Sequence, residues 1–287
     1  MAIDPEKLLN LRLPTRARHY SRQDARLYAL SVGFGSDPMM EPELDFASDR
    51  KGFKTVPTMA SIFADVILDL TLACELKRPE LALHGQQMLE MFAPLPDAAT
   101  LEISGTIPAI YDRGETHGAE IHMQAEARLQ GSDEPLYLAT YVTIARGDGG
   151  FGGTAPPRDS LRKRVPDRAA DQRFEFQTQP NQALVYSLNG DPNPIHTQPR
   201  IALKAGFDRP ILHGLCTYGL AYRALMSSCR DYNSANTKRF DVRFSAPVTP
   251  GDRLAFEFWE IGEGIAFQAS SQREGRLVLK EGFYQQH

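Results

Sequence analysis

The sequence predicts an α+β fold in which one helix-and-sheet unit occurs twice. Two apolar stretches, residues 58–74 and 212–229, predict long helices, and each is followed by several β-rich segments. Short motifs recur at a separation of about 155 residues, close to half the chain. A stretch rich in Gly, Pro, Arg and Asp lies between the two copies and has the composition of a linker. We therefore predict a first repeat at 1–145, a linker at 146–167 and a second repeat at 168–287.

The first repeat begins with a short helix and a loop. Ser21 precedes a run with apolar residues at helical spacing, which predicts a helix as far as Leu30. The glycines of residues 32–38 predict a loop, because no strand precedes them as a phosphate-binding loop would require. Residues 58–74 predict a helix that is apolar on almost every side and therefore buried. Strands are predicted at 99–110, 119–130 and 136–145.

The second repeat follows the same order of elements. Tyr186-Ser-Leu188 echoes Tyr28-Ala-Leu30 of the first repeat. Residues 200–205 predict a short helix that ends at Gly206, and residues 212–229 predict the second long helix. Strands are predicted at 238–247, 253–261, 264–272 and 277–284.

Composition and charge narrow the classes of function. Of 287 residues, 42% are hydrophobic and 24% are charged, as in an ordinary soluble globular protein. A formal net charge of -4 argues against a general binder of nucleic acid or of anionic membranes. Cys74, Cys216 and Cys229 are too few and too scattered for a disulfide framework or a thiolate metal site. They predict buried free thiols in a reducing compartment.

Targeting signals in the sequence bear on where the protein is located in the cell. The N-terminus has no apolar segment of the secretory kind, and charged residues interrupt the longest apolar runs. We therefore predict a protein that neither spans a membrane nor is secreted. The residues Tyr-Gln-Gln-His287 are not a peroxisomal address of the S-K-L kind. Together these features predict a bacterial cytoplasmic location.

The stretch best suited to chemistry is Tyr186-Ser-Leu-Asn-Gly-Asp-Pro-Asn-Pro-Ile-His196, followed downstream by Leu212-His-Gly-Leu-Cys-Thr217. Asp191 and His196 can both move protons near neutral pH, and two prolines between them remove backbone freedom. His196 is predicted to lie near the start of a short helix, where the positive end of the helix dipole favours the neutral imidazole. An Asp and a His in such a loop are more often a helix cap and a surface imidazole, so the choice depends on the wider pattern.

That wider pattern resembles a known family. The run Y-S-L-x-G-D-x-N-P-I-H, followed by F-D-R-P-I-L-H-G-L-C-T, is similar to the signature of the MaoC-like (R)-specific enoyl-CoA hydratases, known as the hydratase 2 family. The resemblance covers nearly the whole chain, including residues 92–96, 149–153 and 244–251, and is to the long form with two repeats. It implies a double hotdog, in which two helix-wrapped antiparallel sheets occur in one chain.

The resemblance also implies a reaction, the reversible hydration of a trans-2-enoyl-CoA to a (R)-3-hydroxyacyl-CoA in fatty acid metabolism. His196 is expected to act as the base, Asp191 as an acid or water-orienting partner, and Asn193 as a residue that fixes the geometry. Backbone N–H groups near Gly214, at the start of the second long helix, are expected to bind the thioester oxygen as it becomes enolate-like. The sequence leaves open which of Asp191 and His196 protonates the α-carbon.

Further residues are candidates for contact with the substrate. The predicted substrate-binding positions are Tyr186, Gly190, His213 and Leu215. The first repeat has Gly35-Ser-Asp37-Pro-Met-Met in place of the full motif, and the resemblance implies that this non-catalytic repeat binds the acyl tail. The basic candidates for the CoA phosphates are Lys204, Arg209, Lys238 and Arg243, none of which the sequence singles out.

Two functions of other classes stay open beside the hydratase. A hotdog thioesterase would also bind acyl-CoA, and a non-catalytic acyl-CoA-binding subunit would account for the degenerate first repeat. The intact motif around Asp191 and His196 favours the hydratase over both. The acyl type and the direction of the reaction in the cell stay open. A homodimer is compatible with the sequence, although the double repeat already supplies within one chain the pairing that shorter relatives obtain by dimerising.

No metal or other cofactor is expected, since the CoA thioester is itself the substrate. Asp191, His196 and His213 could together suggest a metal site. That reading is disfavoured because nothing in the sequence supplies a third ligand at regular spacing.

Overall fold

The computed structural model describes residues 3–157 and 165–287, which form two compact units. In the described residues, the first unit contains 3–19, 63–92 and 100–157, and the second contains 20–62, 93–99 and 165–287. Residues 20–62 belong to the first repeat along the chain but pack within the second unit. The predicted boundaries at 145 and 168 describe the repeat along the sequence and stay a prediction. Residues 158–164 of the predicted linker lie outside the described residues.

The described ranges contain seven α-helices and ten β-strands. The helices are α1 Pro5–Leu9, α2 Arg22–Ser31, α3 Glu41–Ala47, α4 Asp65–Ala73, α5 Gln182–Ser187, α6 Pro199–Lys204 and α7 Gly214–Cys229. The strands are β1 Arg16–Tyr20, β2 Ala82–Met91, β3 Ala99–Asp112, β4 Ala119–Leu129, β5 Pro135–Ala145, β6 Gln172–Gln177, β7 Thr237–Phe244, β8 Arg253–Ile261, β9 Gly264–Ser271 and β10 Arg276–Gln286. Short 3-10 helices lie at Pro57–Ile62, Pro79–Leu81, Pro194–His196 and Ser234–Asn236. Within these described residues, no helix has both the length and the apolar character to cross a bilayer.

In the first unit, α4 packs on a sheet with the strand order β1-β3-β4-β5-β2. The pairs β3 with β4, β4 with β5, and β5 with β2 are antiparallel. Residues of β4 alternate between buried and half-buried, as expected for a strand with one face on the core. Gly105 on β3 allows α4 to approach closely, because a β-carbon there would lie 3.0 Å from Cβ of Val66.

In the second unit, α7 packs against a five-stranded antiparallel sheet with the strand order β6-β8-β9-β10-β7. Residues 216–226, which are 11 of the 16 in α7, are all buried, so the helix is enclosed on every side. The Tyr218 hydroxyl donates to the Phe240 carbonyl oxygen on β7 at 2.7 Å, and the Tyr222 and Thr237 hydroxyls lie 2.6 Å apart. A long helix wrapped by an antiparallel sheet is the hotdog arrangement, so the α+β hotdog prediction is confirmed.

The internal repeat is present in the topology. Both units have one strand order, in which each strand of the first has its counterpart five strands later in the chain. All seven predicted strands are found, and β8 has the predicted bounds. The predicted helix after Ser21 is also found as α2, and the Ser21 hydroxyl accepts the Asp24 N–H at 3.3 Å as an N-cap.

The prediction of one long helix at 58–74 is wrong. The segment forms a 3-10 helix at Pro57–Ile62 and then the separate helix α4, whose N-cap residue Ala64 makes no side-chain hydrogen bond. The surface of α4 is not buried on every side, because Leu68 and Leu72 are 56% and 67% exposed. Both helix types place apolar residues three or four positions apart, so the apolar pattern does not reveal the interruption.

Several shorter elements are not among those predicted. They are β1, β2, β6, α1, α3 and α5. Most are five to seven residues long or carry many polar residues, so their patterns fall below what a periodicity argument detects. The thiols of Cys74 and Cys216 are free and buried as predicted, whereas the free thiol of Cys229 is only half-buried.

The glycine-rich segment at 149–153 is held by its own chain. The Asp112 carboxylate at the end of β3 accepts the backbone N–H groups of Gly114, Gly150 and Gly152 at 2.7 to 2.8 Å. These backbone groups therefore already bind an anion, the side chain of Asp112, within the first unit.

Helices α2 and α5 pack together in the second unit through equivalent positions of the two repeats. The Tyr28 and Tyr186 rings meet edge to face with centroids 6.2 Å apart. The Asn189 amide donates to the Ser31 hydroxyl at 2.9 Å. The Ser31 hydroxyl also donates to the Tyr28 carbonyl oxygen within α2 at 2.7 Å, and the Asn189 amide, just after α5, donates to the Tyr186 carbonyl oxygen at 2.9 Å.

A buried ion pair joins α7 to α3 in the same unit. The Arg223 guanidinium donates to both carboxylate oxygens of Glu43, at 2.8 and 3.1 Å, and to the Ser36 hydroxyl at 2.9 Å. Only 7% of the Arg223 side chain and 2% of the Glu43 side chain are exposed. Glu43 also accepts the Gly35 N–H at 2.8 Å and the Tyr232 hydroxyl at 3.2 Å. The carboxylate is thus fully engaged, as a buried charge must be.

Candidate active site

The loop after α5 brings the predicted acid and base together. The chain turns at Gly190, which has a positive φ of 102° that suits glycine. The Asp191 carboxylate then accepts the Asn193 N–H at 3.0 Å, and the Asn193 side-chain oxygen accepts the Ile195 N–H at 3.2 Å. These bonds, with the two prolines, fix the path of the backbone up to the 3-10 helix that ends at His196.

His196 is oriented by one hydrogen bond from its own ring. Its Nδ1 lies 2.9 Å from the carbonyl oxygen of Ile211. Because a carbonyl oxygen can only accept, Nδ1 carries the hydrogen, and Nε2 of the neutral ring is the proton acceptor. Burial lowers the pKa of His196, although the bond to Ile211 and the charge of Asp191 act in the opposite direction. The imidazole is therefore neutral and basic at neutral pH.

The physical reason for this neutrality differs from the one predicted. His196 is the last residue of the 3-10 helix at Pro194–His196 and lies before α6, so it is not in the first turn of a helix. The predicted position in the first turn of a helix is therefore wrong. Loss of solvent around the ring is the largest cause of the lowered pKa of His196.

His213 lies directly against His196. The two rings stack with centroids 3.8 Å apart and an angle of 29° between their planes, and His213 also packs on Tyr186 at 4.8 Å. His213 is 1% exposed, and neither ring nitrogen has a hydrogen-bond partner among the described residues. Burial, with a smaller effect from His196, lowers the pKa of His213 to about 3. His213 is therefore a neutral aromatic support for the ring of His196.

Asp191, His196 and His213 are the residues that could form a metal site. Ligand atoms of Asp191, His196 and His213 all lie within 4.8 Å of one another, and the expectation that no metal is bound stays a prediction. The rings of the two histidines stack with centroids 3.8 Å apart. Nδ1 of His196 bonds to the Ile211 carbonyl oxygen, which leaves Nε2 as the nitrogen that carries the free lone pair.

The N-terminus of α7 supplies backbone donors beside this pair. His213 is its N-cap residue and makes no side-chain capping bond. The N–H groups of Cys216 and Thr217 donate to the His213 carbonyl oxygen, whereas those of Gly214 and Leu215 have no partner among the described residues. Gly214 is exposed and Leu215 is half-buried, so both groups are available to an anion. A β-carbon at Gly214 would lie 3.3 Å from Cε1 of Phe244, which leaves little room for a side chain.

Most of the predicted site residues lie around Asp191 and His196, whereas Tyr186 is buried behind the surface. Asp191, His196 and His213 lie together, with Gly190 at the turn before them and Gly214 and Leu215 at the start of α7. Tyr186 is 1% exposed, and its ring contacts His213 with centroids 4.8 Å apart. The predicted substrate contacts of Tyr186 and His213 stay a prediction. The carbonyl oxygen of Ile211 accepts the hydrogen bond from His196, and no side-chain pattern in the sequence could indicate this contact.

Acid stability provides a test of the buried state of His213. Its pKa is about 3 in the folded protein and 6.5 when solvated, so the unfolded chain binds the extra proton between these values. The free energy of unfolding is expected to hold above pH 6.5 and to fall as the pH decreases toward 3. The variant His213→Phe keeps the aromatic stack but cannot be protonated. Its stability is expected to fall less than that of the wild type between pH 6.5 and 4 in urea titrations.

The exposed residue His117 supplies the control for this measurement. His117→Gln removes an exposed histidine and leaves His213 unchanged. Its acid dependence is expected to match the wild type, and equal slopes for His213→Phe and wild type would contradict the buried neutral state. His84, whose pKa is lowered to about 4 mainly by burial, contributes equally to all three proteins and cancels in the comparison.

Known proteins match this chain over almost its whole length. The family model described as MFE-2 hydratase 2 N-terminal domain matches residues 19–147, and the MaoC like domain matches residues 162–281. The chain is 34% identical over 288 residues to the peroxisomal enoyl-CoA hydratase 2 of Arabidopsis thaliana, covering 95% of this chain and 92% of that protein. It is 34% identical over 289 residues to 3-hydroxyacyl-thioester dehydratase Y of Mycobacterium tuberculosis, covering 98% of each. The crystal structure of a MaoC-like dehydratase from Phytophthora capsici superposes with a TM-score of 0.86 at 29% identity, covering 98% of both chains.

Proposed function

The chain belongs to the MaoC-like dehydratase family, in the long form that carries a hydratase 2 N-terminal domain, and on that premise we propose that it reversibly hydrates trans-2-enoyl-CoA to (R)-3-hydroxyacyl-CoA. The observation that carries the proposal is the juxtaposition of Asp191 with a neutral, oriented His196. This pair is a proton-transfer unit beside the backbone donors of α7. Relatives named as a hydratase and as a dehydratase act on such thioesters in the two directions of one reaction.

The proposed reaction begins with a water held between Asp191 and His196. Nε2 of His196 takes a proton from the water as its oxygen bonds to the β-carbon of the enoyl group. The electrons of the double bond move to the thioester, whose oxygen becomes enolate-like. A proton then passes from the pair to the α-carbon, which restores the thioester and returns both residues to their initial state. The reaction consumes one water and needs no electron donor or acceptor.

The N–H groups of Gly214 and Leu215 are the proposed donors to the enolate oxygen. Their lack of partners among the described residues supports this role, because two donors that are already aligned need no rearrangement when the charge develops. Asn193 has a supporting role in the proposal. Its side chain accepts the Ile195 N–H, which holds the turn between Asp191 and His196. No metal or additional cofactor has a part in these steps.

The chemistry is assigned to the second repeat alone. Asp37, the counterpart of Asp191, is exposed, and its carboxylate accepts the Met39 N–H at 2.9 Å. No histidine occurs in residues 20–62, where a partner for Asp37 would have to stand in the motif. We assign to the first repeat the binding of the acyl tail, as the family resemblance implies.

The test is a direct assay on purified protein with trans-2-enoyl-CoA substrates of short and long chain. Loss of the conjugated thioester absorbance, with a (R)-3-hydroxyacyl-CoA product on chiral analysis, is the expected result. Release of free CoA would instead indicate a thioesterase. Binding of the substrate without turnover would indicate a non-catalytic acyl-CoA-binding protein. The chain-length profile then identifies the preferred acyl group.

A further inference from the structure

Ser31, the last residue of α2, is hydrogen-bonded to several other parts of the second unit. The residue is completely buried. Its hydroxyl donates to the Tyr28 carbonyl oxygen at 2.7 Å and accepts the Asn189 side-chain N–H at 2.9 Å. Its carbonyl oxygen accepts the Gln182 side-chain N–H at 2.6 Å and the Cys216 S–H at 3.6 Å. Ser31 belongs to the first repeat along the chain, whereas Gln182, Asn189 and Cys216 belong to the second.

The short helix α5 depends on these bonds for its position. A helix of 6 residues is too short to be stable by itself in water. Gln182 is its first residue and Asn189 follows shortly after its end, so Ser31 holds the helix at both ends. The two amide side chains are only 4% and 9% exposed. A buried amide that loses its partner is not compensated by water, so each bond contributes to fixing α5 on α2.

Asn189 connects α5 to the turn that carries Asp191. Its backbone N–H and its side-chain amide both donate to the Tyr186 carbonyl oxygen, at 3.0 and 2.9 Å, and these bonds lie within the α5 segment. The bond to Ser31 fixes Asn189 relative to another helix. Gly190 and Asp191 follow directly in the chain. The place of the Asp191 carboxylate therefore depends on the Ser31 hydroxyl.

Cys216 brings the first turn of α7 into the same network. Burial raises the pKa of the Cys216 thiol, which therefore stays protonated and can donate to the Ser31 carbonyl oxygen. Gly214 and Leu215, whose N–H groups are the proposed donors to the enolate oxygen, come directly before it. A thiol is a weak donor, so this bond contributes less than the amide bonds of α5. Ser31 thus contacts the segments that carry both parts of the proposed site.

We propose that Ser31 is a positioning residue for the hydration reaction, whose hydroxyl acts through Asn189 to hold the Asp191 carboxylate beside His196. This inference rests on the proposed function. Ser31 itself takes no part in proton transfer, since its one hydroxyl hydrogen is donated to the Tyr28 carbonyl oxygen. The first repeat, which has no histidine in its own motif, thereby supports the chemistry assigned to the second repeat.

The experiment removes the Ser31 hydroxyl in the intact protein. Ser31→Ala keeps the carbonyl oxygen, so the bonds from Gln182 and Cys216 are preserved. Its kcat for enoyl-CoA is expected to fall about tenfold while KM stays unchanged, because a reacting group is misplaced and no substrate contact is lost. Asn189→Ala is expected to cause the same fall, and the double variant is expected to lose no more than either single variant. Losses that multiply in the double variant would show that the two residues act independently and would overturn the inference.

A titration of the His196 imidazole by NMR does not depend on turnover. Its signal is assigned by comparison with His196→Gln. The charge of Asp191 acts to raise the pKa of His196, while the stacked ring of His213 is neutral and the Ile211 carbonyl bond is untouched by the variant. Displacement of the Asp191 carboxylate is therefore expected to lower the pKa of His196 in Ser31→Ala. A merely structural role of Ser31 would leave this pKa unchanged.

Thr237→Val is the matched control, because it removes another buried hydroxyl of the second unit. The Thr237 hydroxyl is 2.6 Å from that of Tyr222, which lies in the middle of α7 and not at its first turn. The variant is expected to lower the melting temperature as Ser31→Ala does, but to leave kcat and the pKa of His196 unchanged. An equal fall in kcat in Thr237→Val and Ser31→Ala would indicate general loosening of the unit and would contradict a positioning role.

The outcomes separate this inference from the proposed function. If the wild type hydrates enoyl-CoA and Ser31→Ala keeps both kcat and the pKa of His196, the inference fails while the proposed function stands. If no protein hydrates the substrate but the pKa of His196 falls in Ser31→Ala and not in Thr237→Val, the proposed function fails while the positioning of Asp191 by Ser31 stands. If Ser31→Ala does not fold, Asn189→Ala provides the same two measurements from the other side of the bond.

Discussion

Asp191→Asn and His196→Gln are each expected to lower kcat for enoyl-CoA hydration at least about a hundredfold. His196→Gln removes the Nε2 acceptor that takes the proton of the attacking water in the proposed mechanism. Asp191→Asn keeps the shape of the side chain but removes the negative charge beside the imidazole. Neither side chain is in the buried core, so the folded state is expected to persist. Single-turnover kinetics together with circular dichroism and thermal unfolding of each variant separate lost chemistry from lost structure.

Asp37→Asn is the matched control for Asp191, the proposed catalytic aspartate. It makes the same chemical change at the counterpart position of the first repeat, which has no histidine partner in its motif. Its kcat is expected to match that of the wild type. If Asp37→Asn lowers kcat as much as Asp191→Asn does, the assignment of chemistry to the second repeat is wrong. Near-normal kcat in His196→Gln would remove the general base from the mechanism.

Arg223→Met is expected to lower the free energy of unfolding by about 3–5 kcal/mol. The substitution leaves the Glu43 carboxylate buried without its cation, although Gly35 and Tyr232 still donate to it. The guanidinium also lies over the rings of Phe174 and Phe176, at 5.5 and 4.7 Å from their centroids, and those contacts are lost as well. Urea titration at pH 7, followed by circular dichroism, measures the change.

Two further variants show whether the uncompensated charge causes the loss. Arg223→Met/Glu43→Gln removes both charges and is expected to regain most of the stability, since replacing a whole buried pair is often neutral. Arg253→Met breaks the half-exposed pair with Glu175, whose side chains are 54% and 52% exposed, and is expected to cost no more than about 1 kcal/mol. Equal losses in Arg223→Met and Arg253→Met would show that burial adds nothing to the pair.

The sequence predicts the elements whose pattern is local. The strand at 253–261 alternates apolar and polar residues between clear turn residues, and β8 has those bounds. The helix at 212–229 is a long apolar run, and α7 lies within it. The interruption at Phe63 and Ala64 escapes prediction because 3-10 and α-helices share nearly the same spacing of apolar residues.

The contacts of the candidate site are likewise predictable only where they depend on local sequence. The motif predicts the residues of the Asp191 and His196 pair, because a turn and two prolines fix them within one short stretch. The carbonyl of Ile211 and the stacked ring of His213 reach His196 from another part of the chain, so local spacing carries no information about them. Arg223 stands out in the sequence as a charged residue within an apolar helix. Nothing in the sequence identifies its ion-pair partner Glu43, which lies 180 positions away.

The contact between α2 and α5 has a consequence for how the two halves can change during evolution. In a symmetric dimer of identical repeats, a residue on the two-fold axis faces an identical copy of itself, and the contact of Tyr28 with Tyr186 has this form. Ser31 and Asn189 occupy equivalent positions but differ, and the amide of one donates to the hydroxyl of the other. Two unlike repeats in one chain permit such a pair, which two identical copies of one repeat cannot form. A substitution at Ser31 or Asn189 must therefore fit one particular side chain in the other repeat.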